Sequence, residues 1–244
     1  MLTEAQKERY SRQIISPYIG EKGQEKLSQI KVLQVGAGGL GSPFALYLVA
    51  AGIKELIIID NDTVAISNLQ RQVLYDESHI GVVKVDAAKK RLSSLNSEVE
   101  IKIHKEFVSE DSIRKHLRNI DFIVDCSDNF DTKFLVNRVA IEFEIKAVIA
   151  GVKDFFGQIM TINPKRSACY ECVFDQPVSY EASESPLPVI GVTPGILGTL
   201  EALEVIKSTL KLPNLENRLL MVNLLDLSFD VIDLVRNENC FCSK

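Results

Sequence analysis

The residues best suited to chemistry lie in a glycine-rich stretch and in the charged segment that follows it. Gly36, Gly38 and Gly41 have the spacing G-x-G-x-x-G, and Gly39 lies in the same turn. In that pattern the first glycine permits a tight turn, the second lets backbone approach phosphate, and the third lets a helix pack against a strand. Asp60 follows nineteen residues after Gly41, where a carboxylate accepts a hydrogen bond from a ribose hydroxyl. The pattern indicates a nucleotide site.

The cationic residues that follow Asp60 help to decide which kind of nucleotide the site binds. The glycine pattern alone fits either a nicotinamide cofactor or ATP, since both carry ribose and phosphates. The chain continues from Asp60 through Asp62 to the segment 67–72, SNLQRQ, and Lys84 begins a further helical pattern. A triphosphate needs cations to neutralise it and to stabilise the departing pyrophosphate, whereas a nicotinamide site has little use for them. Arg71 and Lys84 therefore favour ATP.

The elements that must position these residues alternate between strand and helix. The alternation predicts an α/β fold with a Rossmann-like, doubly wound and mostly parallel sheet. Beyond Gly151 it stops, and the later strands are predicted to extend the sheet in antiparallel fashion. In the helix predicted over 82–95, apolar residues at intervals of three and four form a core-facing stripe of Val85, Ala88, Leu92 and Leu95. The predicted strands cover 31–35, 55–59, 99–104, 120–125, 147–150, 156–163, 218–225 and 228–234.

Composition excludes several classes of protein. The chain has 244 residues, enough for one large domain, and a formal net charge of −5 without a basic run, so nucleic acid is not an expected partner. Its apolar stretches are too short to cross a bilayer. The segment 1–13 is charged and polar, so no signal peptide is expected there. We expect a cytoplasmic protein without a membrane segment.

Seven sequence blocks follow one another along the chain: 9–14 (RYSRQI), 36–41 (GAGGLG), 60–72, 81–84 (GVVK), 125–129 (DCSDN), 169–172 (CYEC) and 195–204 (GILGTLEALE). Together they resemble the ThiF/MoeB/HesA family, the bacterial and archaeal relatives of ubiquitin-activating enzymes. The resemblance covers nearly the whole chain. It implies an adenylyltransferase: ATP and a carboxylate would give an acyl-adenylate and pyrophosphate on a homodimeric enzyme.

The resemblance also implies a role for each polar residue of the nucleotide site. Asp60 would hold ribose, Asn68 and Arg71 would contact the phosphates, and Lys84 would meet them with help from the dipole of its helix. The rest of the nucleotide-binding set comprises Asp62, Gln72 and Asn129, together with the glycines.

Two further residues are expected to act on the phosphates. Asp128 follows an apolar strand, at the carboxyl end of the predicted sheet, and its carboxylate suits Mg²⁺ bridging phosphate oxygens. Arg12 matches the family arginine that reaches across the dimer, where its charge would stabilise the transition state. Arg12, Arg71, Lys84 and Asp128 form the predicted catalytic set. Past Asp128 the family often has arginine where this chain has Lys133, which is expected either to contact ligand or to lie on a helix surface.

The cysteines suggest a structural metal. Five cysteines in an intracellular chain favour metal or catalysis over disulfides. Cys169 and Cys172 form a C-x-x-C pair, and Cys240 and Cys242 resemble the family's second zinc pair. Four thiolates would give a closed tetrahedral Zn²⁺ site. The second pair is C-x-C where the family usually shows C-x-x-C, which leaves reduced, unliganded thiols as the alternative; a redox pair is disfavoured because the flanks read as loop.

The chain shows no residues for covalent catalysis, and none is needed because the substrate oxygen itself attacks phosphorus. His79, His104 and His116 are predicted to be ordinary surface or turn residues. Cys126 is predicted to be a packed core thiol. The loop 179–190 lacks the transfer cysteine that some family members carry, so the chemistry is expected to end at the adenylate.

We expect a single adenylation domain over 1–244. It would comprise an N-terminal helical segment 1–30, a nucleotide-binding core 31–152, and a C-terminal region 153–244 for zinc and the carboxylate substrate. The N-terminal segment reads as helical over 3–29 with a break at Ser16 and Pro17, and a later helix is predicted over 195–211. The long loop 164–194, rich in Pro, Ser and Glu, is predicted to gate substrate entry.

The substrate is less determined than the reaction. The first hypothesis is the C-terminal glycine of a ubiquitin-like sulfur carrier in a molybdopterin or thiamin type of pathway. The second is a small-molecule carboxylate, such as the guanylylpyridinol carboxylic acid of the mononuclear iron hydrogenase cofactor. Two weaker hypotheses are an NAD-dependent oxidoreductase, which leaves Arg12, Arg71 and Lys84 unexplained, and a non-catalytic partner subunit, which the complete phosphate-site set argues against.

Overall fold

An eight-stranded sheet forms the centre of the protein. The computed structural model describes residues 1–174 and 188–243. Numbered along the chain, the strands lie in the order β3-β2-β1-β4-β5-β6-β7-β8. The strands are β1 (Lys31–Val35), β2 (Glu55–Ile59), β3 (Glu100–His104), β4 (Phe122–Asp125), β5 (Lys146–Lys153), β6 (Phe156–Ile162), β7 (Arg218–Asn223) and β8 (Ser228–Asp233).

The pairing agrees with the predicted fold class. Strands β1 to β5 pair in parallel, and β5 to β8 pair as antiparallel neighbours. In β1 and β2 nearly every side chain is buried, because helices cover both faces of a parallel sheet. The α/β fold with antiparallel C-terminal strands is confirmed. The predicted bounds of β1 and β2 match the structure, and the other strand bounds agree within three residues.

Helices flank the sheet and divide the core into two layers. One layer packs α4, α5 and α8 against the sheet, and the other packs α6, α7 and the cysteine-containing turn. None of the helices in the described ranges combines the length and the apolar character needed to cross a membrane. The helices are α1 (Glu4–Arg9), α2 (Ser11–Ile14), α3 (Gly20–Leu27), α4 (Gly41–Ala50), α5 (Lys84–Leu95), α6 (Glu110–Arg114), α7 (Phe130–Glu142) and α8 (Val192–Leu210).

The predicted apolar stripe of α5 agrees with the structure, whereas the predicted start of α8 does not. The stripe on α5 is core-facing as predicted: Val85, Ala88 and Leu92 are buried, and Leu95 packs against the same core. Helix α8 begins at Val192, three residues before the predicted start at 195. The reason is that Pro194 lies in the first turn, where the missing N–H costs no hydrogen bond.

The predicted loop 164–194 contains ordered structure at both ends. A short 3-10 helix covers Tyr170–Cys172, and the first turn of α8 covers the other end. Residues 175–187 of the loop lie outside the described residues. The gating role therefore stays a prediction.

Candidate nucleotide site

A cavity of about 660 Å³ opens at the carboxyl ends of the parallel strands. This volume is within the range of about 300–1,000 Å³ of small-molecule sites. The chain runs from β1 outward to β2 and β3, then returns to place β4 on the other side of β1. Ligands bind at such a reversal in open α/β sheets. Polar lining residues include Gly36, Gly38, Gly39, Asp60, Asn61, Asp62, Arg71, Gln72, Lys84, Ser127, Asp128, Asn129, Asp131 and Thr132; apolar ones include Leu40, Ile59, Phe107, Val108, Val152, Val189 and Pro194.

The glycine turn leaves backbone exposed to this cavity. Gly36 has a φ of +92°, and a Cβ there would lie 2.9 Å from the Cys126 carbonyl oxygen. A Cβ on Gly41 would lie 2.4 Å from the Gly36 carbonyl oxygen, so this glycine lets α4 pack tightly against β1. At Gly38 the nearest atom to a Cβ would be 3.7 Å away, on Gln72. Gly38 therefore leaves room for a ligand to approach the backbone.

Asp60 is held by backbone at the centre of the site. Its Oδ2 accepts a hydrogen bond from the Ala37 N–H at 2.8 Å, and its Oδ1 accepts one from the Asp62 N–H at 2.8 Å. Each oxygen keeps a further lone pair, so the carboxylate can still accept a bond from a ribose hydroxyl. The N–H bond from Ala37 ties the acid to the glycine turn, which fixes the ribose acceptor relative to the phosphate-binding backbone.

Tyr75 is a site residue that the sequence did not reveal. Its hydroxyl donates to the Ala37 carbonyl at 2.9 Å, and this hydrogen bond stabilises the glycine turn. Burial raises the pKa of Tyr75, and the Asp60 charge adds to that effect. The phenol therefore stays neutral and keeps its donor role. Nothing in the sequence around position 75 distinguishes this tyrosine from an ordinary core residue.

Lys84 supplies a buried cation to the cavity wall. It is 5% exposed, and it is the first residue of α5. Its Nζ lies 2.8 Å from Asp62 Oδ2, and its backbone N–H donates to the Asp62 carbonyl at 2.9 Å. Asp62 thus holds the ammonium beside the helix N-terminus, where the dipole favours an anion.

In the segment 67–72, some of the polar residues line the cavity and others do not. Arg71 lines the cavity and donates to the Ser67 carbonyl at 3.1 Å. Gln72 also lines it, and its buried Oε1 has no partner in the part of the chain that the structure describes. Asn68 does not line the cavity. Its Oδ1 accepts from the Ala65 N–H at 3.0 Å and so caps a short 3-10 helix, and its phosphate contact stays a prediction.

Asp128 and Asn129 form the rim of the cavity after β4. The Asn129 side chain accepts from the Thr132 N–H at 2.9 Å and caps α7. Asp128, the preceding residue, is exposed and lines the cavity. Its carboxylate oxygens are hard ligands of the type that Mg²⁺ prefers, so this residue could hold the ion beside bound phosphates.

Lys133 is buried rather than on the helix surface, so the surface alternative is wrong. It does not line the cavity, and a contact with ligand stays a prediction. It is 5% exposed. Its ammonium donates to Asp125 Oδ2 at 2.6 Å, to the Ser127 carbonyl at 2.9 Å and to the Ala150 carbonyl at 2.6 Å. These three bonds use all its N–H groups. Lys133 therefore ties the middle of β5 to the loop that carries Asp128.

Arg12 does not line the cavity of its own chain. It lies on the short helix α2 with an exposed side chain. Among residues 1–174 and 188–243 it makes no hydrogen bond or ion pair. Its position is compatible with action outside this chain's own site.

Four cysteines, distant in sequence, converge on one point. Sγ to Sγ distances are 3.6 Å for Cys169 and Cys240, 3.8 Å for Cys172 and Cys169, and 3.5 Å for Cys172 and Cys242. A tetrahedral Zn²⁺ with bonds of about 2.3 Å separates its sulfurs by ~3.8 Å, whereas a disulfide needs about 2.05 Å. The thiols fit a tetrahedral metal. The second pair's C-x-C spacing does not prevent this, because a 3-10 turn at Phe241–Ser243 brings the two sulfurs together.

The fifth cysteine and the three histidines take no part in the thiolate cluster. Cys126 is 4% exposed within the core, as predicted, and lies 3.5 Å from Glu201 Oε2. Burial raises the pKa of the Cys126 thiol well above its ordinary range, so it is not a thiolate nucleophile. His79 lies in a 3-10 turn, as predicted. His116 lies in the turn after α6, as predicted, whereas His104 is the last residue of β3. Both are partly buried and their rings stack at 3.6 Å, because the end of β3 meets that turn.

Comparison with known proteins decides the family. The model of the ThiF family matches residues 10–244. The chain belongs to the ThiF family. A sulfur carrier protein adenylyltransferase of Thermus thermophilus is 37% identical, over 98% of this chain and 91% of its own length. The SAMP-activating enzyme E1 of Haloferax volcanii is 36% identical, over 98% and 89%. The chain spans about half of longer relatives such as the adenylyltransferase and sulfurtransferase MOCS3 of Xenopus laevis, at 37% identity and 53% of that protein.

Solved structures agree with the ThiF assignment. The crystal structure of E. coli MccB with ATP has a TM-score of 0.86 and 26% identity, and the match covers 96% of this chain and 74% of that one. This ThiF protein is an ATP-dependent adenylyltransferase. The choice of ATP over a nicotinamide cofactor is confirmed, and the oxidoreductase hypothesis and the hypothesis of a non-catalytic subunit are wrong.

Proposed function

We propose that this ThiF-family enzyme adenylates the C-terminal carboxylate of a ubiquitin-like sulfur carrier protein. The observation that carries the proposal is the alignment, over 98% of the chain, with a relative named for adenylation of a sulfur carrier protein. A second relative of nearly the same coverage is named as an activating enzyme for another protein, SAMP. The alternative, a small-molecule carboxylate, requires only the same adenylation site and therefore remains the competing hypothesis.

The reaction needs positioning and charge rather than a protein nucleophile. One carboxylate oxygen of the substrate attacks the α-phosphorus of ATP; the new O–P bond forms as the bond to pyrophosphate breaks. Asp60 would hold the ribose, and the turn at Gly36 to Gly39 would present backbone to the phosphates. Arg71 and Lys84 would stabilise the charge that collects on the pyrophosphate. Asp128 would hold Mg²⁺, which when bound neutralises phosphate oxygens.

The adenylate is the expected end product of this chain. All five cysteines lie in the described residues, and none is placed for acyl transfer. Four of them form the thiolate cluster, and Cys126 is buried as a neutral thiol beside Glu201. The activated carboxylate would therefore be released to, or attacked by, a separate sulfur donor.

Three further assignments belong to this proposal. The thiolate cluster would hold a structural Zn²⁺, which ties the C-terminal tail to the turn at Tyr170–Cys172. The enzyme would be a homodimer in which Arg12 completes the partner's site, since Arg12 is exposed and does not line its own cavity. We place it in the cytoplasm, where ATP is available and thiols remain reduced.

ATP–pyrophosphate exchange tests the proposed substrate. The enzyme is assayed with a sulfur carrier ending in Gly-Gly, with the same carrier truncated by two residues, and with aromatic and pyridinol carboxylic acids. Exchange that depends on the intact carrier supports the proposal. Exchange only with a small acid would replace it with the alternative.

The same assay tests the site. Asp128→Ala should abolish exchange, because the metal loses its carboxylate, while leaving the fold intact by circular dichroism. Asp111→Ala is the matched control, since Asp111 lies on α6 outside the cavity and its loss should leave exchange unchanged. Full exchange by the Asp128 variant would remove this residue from the metal role.

A further inference from the structure

Two imidazoles and a carboxylate converge beside the nucleotide cavity, outside the residues used for adenylation. His104 is the last residue of β3, Glu106 lies in the connecting segment 105–109, and His116 lies in the turn after α6. One ligand atom from each lies within 4.8 Å of the other two. Three elements at the edge of the sheet therefore bring metal-ligating atoms close together.

The distances suit a shared ion better than hydrogen bonds. His116 Nε2 lies 3.6 Å from Glu106 Oε1, and His104 Nδ1 lies 3.9 Å from the same oxygen. Hydrogen bonds between such atoms are about 2.7–3.2 Å long. A tetrahedral ion with bonds of about 2.1 Å to nitrogen and oxygen separates its ligands by ~3.4 Å. To bind one ion the atoms would close by up to about 0.5 Å, and the stacked rings, whose planes lie 23° apart, would turn so that both in-plane lone pairs face the ion.

Two more observations favour a ligand at this centre. The Nε2 atom of His116 is buried and has no hydrogen-bond partner within the described residues, and a buried polar atom without a partner is costly. The second oxygen of Glu106 is held by Lys115 at 3.3 Å. This ion pair orients the carboxylate and leaves Oε1 facing both rings, which stack with their planes 23° apart.

We propose that His104, Glu106 and His116 form a second metal site, which binds a divalent transition-metal ion of the zinc or nickel class. Two imidazoles and one carboxylate select such ions over Mg²⁺, which prefers an all-oxygen shell. The set is chemically distinct from the four thiolates, and it leaves coordination positions for water.

The ion would act on the wall of the nucleotide cavity. Segment 105–109 carries Phe107 and Val108, which both line that cavity, and Phe107 is 78% exposed. The end of β3 is also bonded to the site directly, because the His104 carbonyl accepts from the Asp60 N–H at 3.2 Å. An ion that joins β3, this segment and the end of α6 therefore restrains one wall of the ATP site. Because such coupling is reciprocal, the ion and ATP should each bind more tightly in the presence of the other.

Calorimetric titration with Ni²⁺ tests the site. Protein purified without chelator is compared with His104→Ala, His116→Ala and Glu106→Gln variants. His79→Ala is the matched control, because His79 also lies beside a carboxylate, Asp76, but has no third ligand. The wild type and the control should bind one more Ni²⁺ per chain than the variants, or bind it at least about tenfold more tightly. The additional Ni²⁺ should give no thiolate-to-metal charge-transfer absorption.

The overturning result is Ni²⁺ binding by all three variants that equals that of the wild type in number and affinity. If His116→Ala fails to fold by circular dichroism, Glu106→Gln decides the question, since Glu106 is partly exposed and its amide keeps the shape of the side chain. A second titration measures ATP affinity with and without Ni²⁺. An increase in the wild type that is lost in Glu106→Gln supports the restraint on the cavity wall, and equal ATP affinity in both conditions refutes it.

Discussion

Replacing Lys133 by methionine should lower the free energy of unfolding by about 3–5 kcal/mol. The lysine is buried, and its partner Asp125 is completely buried, with 0% exposure. In the wild type the ammonium lies 2.6 Å from Asp125 Oδ2. Methionine fills a similar volume but leaves the carboxylate charge without its cation and removes one donor from each of two main-chain carbonyls. Removing one partner of a buried pair costs far more than the pair itself contributes.

The size of the effect can be read from a urea titration at fixed protein concentration. With a dependence of about 2–3 kcal/mol per molar urea, the midpoint should fall by roughly 1–2 M. The matched control is Lys165→Met. Lys165 pairs with Glu144, but the two side chains are 70% and 59% exposed, so this change should cost no more than about 1 kcal/mol. A Lys133→Met variant as stable as the control would refute the argument from burial.

A double variant and a pH series separate the charge from packing. Asp125→Leu combined with Lys133→Met should recover much of the loss, because no charge then remains buried. Burial raises the pKa of Asp125 and Lys133 lowers it, so Lys133→Met should raise that pKa further. Above the ordinary value of 3.8, the folded variant then binds more protons than its unfolded chain, and its stability falls as pH rises. The loss of stability caused by Lys133→Met should therefore be smaller at pH 5 than at pH 7. If the loss of stability were the same at both pH values, it would come from packing and not from the buried charge.

Three further predictions concern the rest of the molecule. Gly41→Ala should weaken ATP binding at least about tenfold by calorimetry, since its Cβ would meet backbone at 2.4 Å and α4 must shift; Gly195→Ala, whose Cβ meets nothing within 4 Å, should bind ATP normally. Elemental analysis should find about one Zn²⁺ per chain less in Cys240→Ser than in the wild type and in Cys126→Ser, and equal zinc in both variants would contradict the thiolate site. Mixed dimers of Arg12→Ala and Asp128→Ala chains should regain exchange at one of two sites, and no recovery would argue against action of Arg12 across the dimer.

Local patterns were sufficient for the fold class and for much of the nucleotide site. The glycine spacing from Gly36 to Gly41, the buried strands around it and Asp60 at the end of β2 are all encoded within thirty consecutive residues. Backbone geometry at each of these positions depends on near neighbours, because turn, strand and helix have fixed periods. The cations at Arg71 and Lys84 then distinguished ATP from a nicotinamide cofactor by residue type alone.

The sequence by itself therefore determined an α/β nucleotide-binding protein, its choice of ATP and the resemblance to ThiF enzymes. Only the tertiary structure decided which distant side chains meet. Cys169 lies beside Cys240 across 71 residues, Lys133 joins β4 to β5 instead of facing solvent, and His104 stacks on His116. Such contacts follow from the order of strands in the sheet and the packing of helices on it. A one-dimensional pattern records the period of each element, but not the position of one element against another.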